Sequence, residues 1–191
     1  MRNPSAAVTS PPAAPPHVER LLAFTNSVDN EEQTDDLTTT AELSGWLHDH
    51  GLTDRRTRVS ADDLQLARNL RDALRDSLRA HHDGRHDAAA LDQLAADLPL
   101  RLEHTTERPG LRPVDSGTRG GLAWILVAVT QAAADDSWRR LKICAFDECQ
   151  WAFYDHSKNR SRTWCEWGCG NKVKTRNYRA RQRRSTTSTG S

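Results

Sequence analysis

The chain has 191 residues, of which 36% are hydrophobic and 28% are charged. This composition is typical of a globular protein and argues against both a membrane protein and a wholly disordered one. The net charge of +1 hides an asymmetry: residues 139–184 contain 13 Lys or Arg and four acidic residues, whereas the rest contains 14 basic and 22 acidic residues. Such a basic segment indicates a polyanionic partner, most often nucleic acid.

Both ends of the chain predict disordered tails. Residues 1–17 are rich in Pro, Ala and Ser, and residues 185–191 are polar, so neither segment has much apolar surface to bury. No apolar secretory segment is visible near the N-terminus, and we therefore expect a cytoplasmic protein.

Residues 18–138 predict a mainly helical domain. A first helix is expected to end at Gly51, with an apolar face made by Leu43, Trp46 and Leu47. Ser60 and Asp63 have the spacing of a capping box. They precede a longer helix whose core-facing stripe is Leu66, Ala67, Leu70, Ala73, Leu74 and Leu78.

Three further segments complete this domain. The amphipathic run Ala88–Leu98 predicts another helix, which Pro99 ends. Pro109-Gly110 has the sequence of a type II turn, so we expect a small β-hairpin that turns at these two residues. The apolar run Leu122–Ala134 is shorter than the roughly 20 residues of a membrane span and predicts a buried central helix.

All four cysteines lie in the last third of the chain, as two close pairs: Cys144 and Cys149, then Cys165 and Cys169. Thiolates are soft ligands, and two short turns that each carry a pair can meet around one tetrahedral Zn²⁺ ion. Two disulfides or four unrelated thiols are the alternatives, and disulfides are disfavoured because nothing marks the chain as secreted. Four protein thiolates leave no open coordination position, so the zinc is expected to be structural and not catalytic.

Five aromatic side chains surround the cysteines and predict a miniature core for this small module, because large rings supply most of the apolar area it can bury. They are Trp151, Phe153, Tyr154, Trp164 and Trp167.

The segment Asn171–Arg184 contains neither Pro nor Gly and predicts a basic helix directly after the last cysteine. Helical spacing places four of its cations on one face: Lys172, Arg176, Arg179 and Arg183. Lys174 and Arg181 broaden that face into most of the surface of the helix, and we expect no compensating acidic residues nearby. The predicted nucleic-acid contacts are these six cations together with Arg160 and Arg162.

The predicted function is therefore DNA binding, with the basic helix against phosphates and in a major groove wide enough for a helix. A solvated charged helix is the simplest alternative. Others are a zinc-stabilised adapter for an acidic protein partner and a thiol-based stress sensor that loses zinc on oxidation. A homodimer through the N-terminal domain would add base contacts. No P-loop, dinucleotide fingerprint or GxSxG elbow occurs, so we do not expect an enzyme.

The motifs of Cys144–Arg183 resemble the CGNR zinc finger. The name-giving Cys-Gly-Asn-Arg stands here as Cys169-Gly170-Asn171-Lys172, and the match extends over Ser157–Arg162, Trp164-Cys165 and Tyr178–Arg181. The resemblance implies four cysteine ligands and a DNA-binding finger. Lys172 keeps the charge of the family's Arg but lacks its planar fork, and the last cysteine pair is one residue closer than in many members.

Upstream, Leu21–Asn30 (LLAFTNSVDN) and the following LTTTAELSGWLHDHGL resemble the opening of the ABATE domain. This domain accompanies the CGNR finger in bacterial proteins regarded as stress-induced transcription regulators, which implies an N-terminal domain that senses an unknown signal or dimerises. Asn26 and Asp29 lie in this segment. They are candidates for contact with a small-molecule effector, or for bracing the first helix through local backbone hydrogen bonds.

His81, His82 and His86 form the next densest group of candidate metal ligands, although an exposed turn between helices is favoured there. The sequence thus predicts a mainly α N-terminal domain with a small β-hairpin, residues 18–138. A small four-cysteine zinc finger that ends in a basic helix follows, residues 139–184.

Overall fold

The structure, a computed structural model, describes residues 13–83, 89–104 and 109–187. For Asp83 and residues 183–187 it describes the backbone alone. Of the predicted tails, residues 1–12 and 188–191 lie outside the described residues, as do His86 and the first residue of the run Ala88–Leu98.

The described residues form six α-helices and three two-stranded antiparallel sheets, which confirms the predicted mainly α fold class. The helices are α1 Pro16–Thr25, α2 Thr40–Asp49, α3 Ala61–Ala80, α4 Ala89–Ala95, α5 Gly117–Ala134 and α6 Cys169–Thr187. The strands are β1 Val28–Asp29, β2 Thr34–Asp35, β3 Leu100–His104, β4 Pro109–Pro113, β5 Leu141–Ile143 and β6 Ala152–Tyr154. The strands pair as three consecutive hairpins, β1–β2, β3–β4 and β5–β6.

Helix α3 begins at the predicted capping box. The Ser60 hydroxyl accepts from the backbone N–H of Asp63 at 3.1 Å, and the Asp63 carboxylate accepts from the backbone N–H of Ser60 at 3.1 Å. These two bonds satisfy donors that the first turn of a helix otherwise leaves unpaired. All six residues of the predicted stripe on this helix are buried.

The central helix α5 starts earlier than its apolar run, because the glycines ahead of that run belong to its first turns. A Cβ at Gly121 would lie 3.2 Å from a methyl group of Leu47. The glycine therefore permits α2 to pack closely against α5. On its other sides α5 packs against α1 and α3 around a core that includes Phe24, Leu74 and Ile125.

The predicted hairpin is present as β3–β4, but the prediction that it turns at Pro109-Gly110 is wrong. Pro109 pairs with His104 and Gly110 pairs with Glu103, so both residues belong to β4. Pro109 is the first residue of its strand, a position where the missing N–H is tolerated. The intervening residues 105–108 lie outside the described part of the chain.

The β5–β6 hairpin joins the N-terminal domain to the cysteine-rich module. Leu141, Ile143 and Ala152 are buried in the same core as α1, α3 and α5. A second, smaller core forms around the four cysteines together with Phe146 and Phe153. The predicted division near residue 138 stays a prediction, and the main core extends across it.

Two helices reach into the predicted tails. Helix α1 begins at Pro16, a residue whose fixed φ and missing N–H suit the first helical position. Helix α6 continues to Thr187. None of the described helices combines the length and the apolar character that crossing a bilayer requires.

Candidate metal centre and basic helix

The four cysteine side chains converge on one point. Their Sγ atoms, from Cys144, Cys149, Cys165 and Cys169, all lie within 4.8 Å of one another. The Sγ of Cys165 is 3.7 Å from that of Cys149 and 3.5 Å from that of Cys169. A tetrahedron with metal–sulfur bonds of ~2.3 Å has edges of about 3.8 Å, whereas a disulfide bond is about 2.0 Å long. The thiols are spaced as ligands of one metal ion and not as disulfides.

The first cysteine pair is held by the turn of the β5–β6 hairpin. Cys144 donates its backbone N–H to the carbonyl of Trp151 at 2.8 Å, and Cys149 donates to the carbonyl of Phe146 at 2.9 Å. Gln150 follows with a left-handed φ of 51° and donates to the same Phe146 carbonyl at 3.0 Å. This tight turn brings the two sulfurs back over the hairpin.

The second pair ends at the first residue of α6. Gly168 has a φ of 76°, a conformation that glycine adopts without steric cost. Its carbonyl accepts from the N–H groups of Asn171 and Lys172 at 2.9 and 3.2 Å, which begins the helix. A Cβ at Gly170 would lie 3.3 Å from the Trp164 ring. The short three-residue gap between these cysteines therefore closes through glycine and is compatible with metal binding.

Burial strongly disfavours ionised thiols in the absence of a cation. All four cysteines are buried. Burial, together with the neighbouring Cys144, raises the pKa of Cys149 to about 12. Burial also raises the pKa of Cys169, further than that of Cys149. A soft dication among the sulfurs reverses this preference, because metal ligation requires the deprotonated thiolate. The donor set therefore fits a structural metal ion.

A buried ion pair connects the two cysteine pairs. Lys142 donates to the carboxylate of Asp155 at 2.9 Å, and both side chains are almost fully buried. Lys142 also donates to the backbone carbonyls of Arg160 and Arg162, while Asp155 accepts from the backbone N–H groups of Ser157 and Arg162. The loop between the pairs is thereby folded back onto the hairpin, and the N–H of Ala145 reaches the carbonyl of Thr163 at 3.0 Å.

The same contacts change the ionisation of Asp155. Burial alone would raise its pKa, but hydrogen bonds from Ser157, Lys142 and Arg162 outweigh burial and lower the pKa to about 2. Sequence analysis missed this pair, because single charged residues in a basic segment resemble ordinary surface charges.

Helix α3 braces the first cysteine turn through two arginines that sequence analysis also missed. Arg75 is only 4% exposed. It donates to the carbonyl of Thr25 at 2.7 Å and to that of Gln150 at 3.0 Å. Arg79 donates to the side-chain oxygen of Gln150. The position of Arg75 between Leu74 and Leu78, on the buried stripe, is the feature of the sequence that could have indicated its burial.

Asn26 contacts β6 with its side chain. Its side-chain amide donates to the carbonyl of Ala152 at 2.9 Å and accepts from the N–H of Ala152 at 2.7 Å, so both polar groups of the amide face β6. The carboxylate of Asp29 accepts from the N–H groups of Glu31 and Glu32 at 2.8 and 3.0 Å, within the β1–β2 turn. The contact of Asn26 is long-range and not the local hydrogen bond of the bracing alternative, whereas the contacts of Asp29 are local but lie in the β1–β2 turn and not on a helix. The effector role of both residues stays a prediction.

Two of the three candidate histidines contact the strand that leads to the first cysteine. A ring nitrogen of His81 lies 2.8 Å from the carbonyl of Leu141, and His82 is hydrogen-bonded to the carbonyl of Ile143. They belong to a short 3₁₀ turn at the end of α3. Within the described part of the chain, the cysteine cluster is the grouping placed to hold a metal ion.

Three of the five aromatics predicted for the core of the module pack as expected, and Tyr154 and Trp167 do not. Phe153 is buried beside the cysteines with Trp151 and Trp164 against it, while Tyr154 packs against the main core. Trp167 departs from the prediction, because 71% of its side chain is exposed. Its neighbours Cys165 and Cys169 place their sulfurs in the interior, and the loop between them lies at the surface.

Helix α6 projects from the metal centre as an exposed basic rod. From Asn171 to Gln182, every residue except Val173 is exposed, and Val173 packs on the cysteine core. The predicted helix is therefore confirmed. Arg183 lies in α6, but its side chain is outside the described residues.

The expectation that the basic residues have no compensating acids is wrong. Lys172 pairs with Glu31 of the β1–β2 turn, and Arg176 pairs with Glu148 at 3.3 Å. The hydrogen bond that Lys172 donates to the carboxylate of Glu31 raises the pKa of Lys172. These acids are distant in sequence or separated by the cysteine loop, and the fold brings them to the face that carries Lys172 and Arg176.

The two loop arginines are engaged as well. Arg160 pairs with Asp136. Arg162 pairs with Glu166 at 2.9 Å, and its guanidinium lies 5.6 Å from the centre of the Phe153 ring. Their charges are thus partly neutralised within the finger.

Lys174 and Arg179 are predicted contacts on α6 for which the described residues show no ion pair. Arg179 lies over the same groove as Arg176 and Glu148. Arg181 donates to the carbonyl of Asn177 at 3.4 Å. Lys174 and Arg181 are seven residues apart and therefore share a face, about 200° around the helix from Lys172.

Comparison with known families covers nearly the whole described chain. A family model described as a putative stress-induced transcription regulator, ABATE, matches residues 19–137. A second model, the CGNR zinc finger, matches residues 140–182. No curated protein matches the chain. The two resemblances found in the sequence are both confirmed.

The buried ion pair leads to a stability prediction. Asp155→Asn leaves Lys142 buried without its counter-charge, and such a loss costs roughly 3 kcal/mol of unfolding free energy. We expect a correspondingly lower urea midpoint at neutral pH with the metal bound. Because the pKa of Asp155 is lowered, the carboxylate stabilises the fold above its usual pKa of 3.8, and that contribution is lost as pH falls toward about 2.

Asp97→Asn is the control, because Asp97 is exposed and forms no ion pair among the described residues. Its midpoint should match that of the wild type. An Asp155→Asn variant as stable as Asp97→Asn would contradict a stabilising role for the pair.

Proposed function

The chain belongs to the ABATE family of stress-induced transcription regulators and carries a CGNR zinc finger, and from this premise we propose that it regulates transcription by binding duplex DNA through α6. The metal-binding cluster is the scaffold in this proposal, and the helix is the contact. The observation that carries it is the exposure of a long cationic helix anchored at its first residue to that cluster.

Zinc is the proposed metal. Four buried thiolates at tetrahedral spacing match the ligand set of structural zinc sites. With four protein ligands no coordination position remains for water or substrate, so the proposed role is non-catalytic. The thiol ligands are compatible with a reducing cytoplasm, where we place the protein.

The face of α6 that carries Lys174 and Arg181 is the proposed first contact with DNA. Lys174 and Arg181 supply charge to this face, and Asn177 and the 61% exposed Tyr178 lie between them. Cations on a helix neutralise phosphates and release counterions. An amide such as Asn177 can pair with an adenine edge in the major groove.

Two cations on the face of α6 opposite Lys174 are available to DNA only by exchange of partners. Lys172 and Arg176 already contact Glu31 and Glu148, so a phosphate must replace a carboxylate at each of them. Exposed ion pairs of this kind are worth little. DNA would displace them at a modest cost in affinity.

Two alternatives are less well supported. A thiol-based sensor needs access of oxidant to sulfur, and each of the four cysteines is at most 6% exposed. An adapter for an acidic protein would use the same exposed helix, and its salt dependence with duplex DNA would be flat. Dimerisation and effector binding by the N-terminal domain remain part of the proposal without a specific contact to support them.

Metal removal tests the scaffold. We expect one zinc per chain by elemental analysis. Cys169→Ser should lose zinc and DNA binding together, because it removes a ligand that is also the first residue of α6. Ser116→Ala, which removes an exposed hydroxyl of the N-terminal domain, should retain the metal. A Cys169→Ser protein that binds DNA with wild-type affinity would contradict the scaffold role.

Charge reversal tests the contact. If about six phosphates are neutralised, the log–log dependence of affinity on salt has a slope of roughly −5. Lys174→Glu with Arg181→Glu should abolish measurable binding in fluorescence anisotropy while zinc content is unchanged. Arg55→Glu with Arg58→Glu is the control, because it changes net charge equally at exposed sites of the N-terminal domain. Equal losses in both double variants, or a slope near zero, would overturn the proposal.

The acidic partners of α6 lead to a separate expectation. Glu31→Gln with Glu148→Gln frees Lys172 and Arg176, so affinity for duplex DNA should rise by on the order of two- to tenfold at low salt. Salt should diminish the gain. Glu19→Gln with Glu32→Gln removes the same charge from exposed positions without ion pairs in the described structure. An equal gain there would show that net charge alone is responsible.

A further inference from the structure

A cleft between the N-terminal domain and the finger has rings as nearly half of its lining residues. Its volume is about 700 Å³, within the roughly 300–1,000 Å³ of small-molecule sites. Helices α1 and α2 form one wall, and β6 with the loop before α6 forms the other. The rings come from both walls: Trp46, His50, Trp151, Tyr154, His156 and Trp167.

Contacts within each wall fix several of these rings. The Trp46 ring packs edge-on against Phe24 at 5.4 Å and stacks on His50 at 3.9 Å between ring centres. Tyr154 meets His156 edge-on at 4.8 Å. Rings held in this way bind a ligand without first losing conformational freedom.

Trp167 packs into neither hydrophobic core of the described chain. It is 71% exposed, although the other Trp and Phe residues of the finger pack into these cores. Because the indole of Trp167 is exposed beside this cleft, it would bury apolar surface if it packed over a bound ligand.

The charges of the cleft select the ligand class. No Lys or Arg side chain lines it, and two carboxylates do, those of Asp36 and Glu166. Glu166 is paired with Arg162 at 2.9 Å, whereas Asp36 has no ion pair among the described residues. Ring faces and an unpaired carboxylate both attract a cation.

We propose that this cleft binds a planar organic cation, held between Trp167 and the wall formed by α1 and α2, with its charge toward Asp36. The ligand contacts both the N-terminal domain and the finger. Its binding would therefore be coupled to any rearrangement between them. The site stands independently of DNA binding.

Rhodamine 6G and fluorescein make a matched pair of probes, because they share a xanthene ring system and carry opposite charges. With the zinc-loaded full chain and no DNA present, rhodamine 6G should bind saturably at one site in fluorescence anisotropy. Fluorescein should not bind.

Two variants assign the site. Trp167→Ala should weaken rhodamine 6G about tenfold, through loss of a cation–π contact and of apolar cover. Asp36→Asn should weaken it about threefold at low salt, with a smaller effect at high salt. Both residues are exposed, so the fold and the zinc content should be retained.

Leu102→Ala and Asp92→Asn are the matched controls, because they remove an exposed apolar side chain and an exposed carboxylate from elements outside the cleft. They should leave the affinity unchanged. Absence of saturable binding, equal binding of fluorescein, or wild-type affinity in Trp167→Ala would overturn the proposal. Since the assay contains no DNA, its outcome is separate from that of the DNA-binding experiments.

Discussion

The buried contact between Lys142 and Asp155 determines how the two cysteine pairs meet. Lys142 lies on β5, directly before the first pair, and Asp155 follows β6. Between them they bind four backbone groups of the loop that leads to the second pair. Metal binding would add its free energy to the contacts that hold the sulfurs close in the folded chain. In this protein a polar contact in the interior supplies much of that proximity, and the small aromatic core supplies the rest.

The finger is also held from outside, by the N-terminal domain. Arg75 connects Thr25, at the end of α1, to Gln150, directly after Cys149. Asn26 pairs with the backbone of β6 through both polar groups of its side chain. Glu31 reaches the signature residue Lys172 at the start of α6. Because of these contacts, a shift of α1 or of the β1–β2 turn would also displace the cysteine loops and the start of the basic helix. A regulator needs such a physical route between a sensing domain and its effector surface.

Sequence analysis predicted what depends on short-range pattern. The α3 stripe, its capping box and the cysteine pairs have characteristic spacings, and the structure places them as expected. The predictions are wrong where packing between distant segments determines the local structure. Pro109-Gly110 resembles a turn, but strand pairing absorbs both residues. The acids beside Lys172 and Arg176 come from other segments of the chain, and neither their pairing nor the burial of Arg75 follows from local spacing.

The sharing of one core between the domain and the β5–β6 hairpin has an evolutionary consequence. The two family models meet between residues 137 and 140, yet Leu141, Ile143 and Ala152 fill space in the main core beyond that seam. A recombination event that exchanged the finger at the seam would bring in a foreign hairpin and leave voids or clashes in its new host. The hairpin must therefore co-evolve with the domain upstream, and a workable exchange would keep residues 141–154 with their original core.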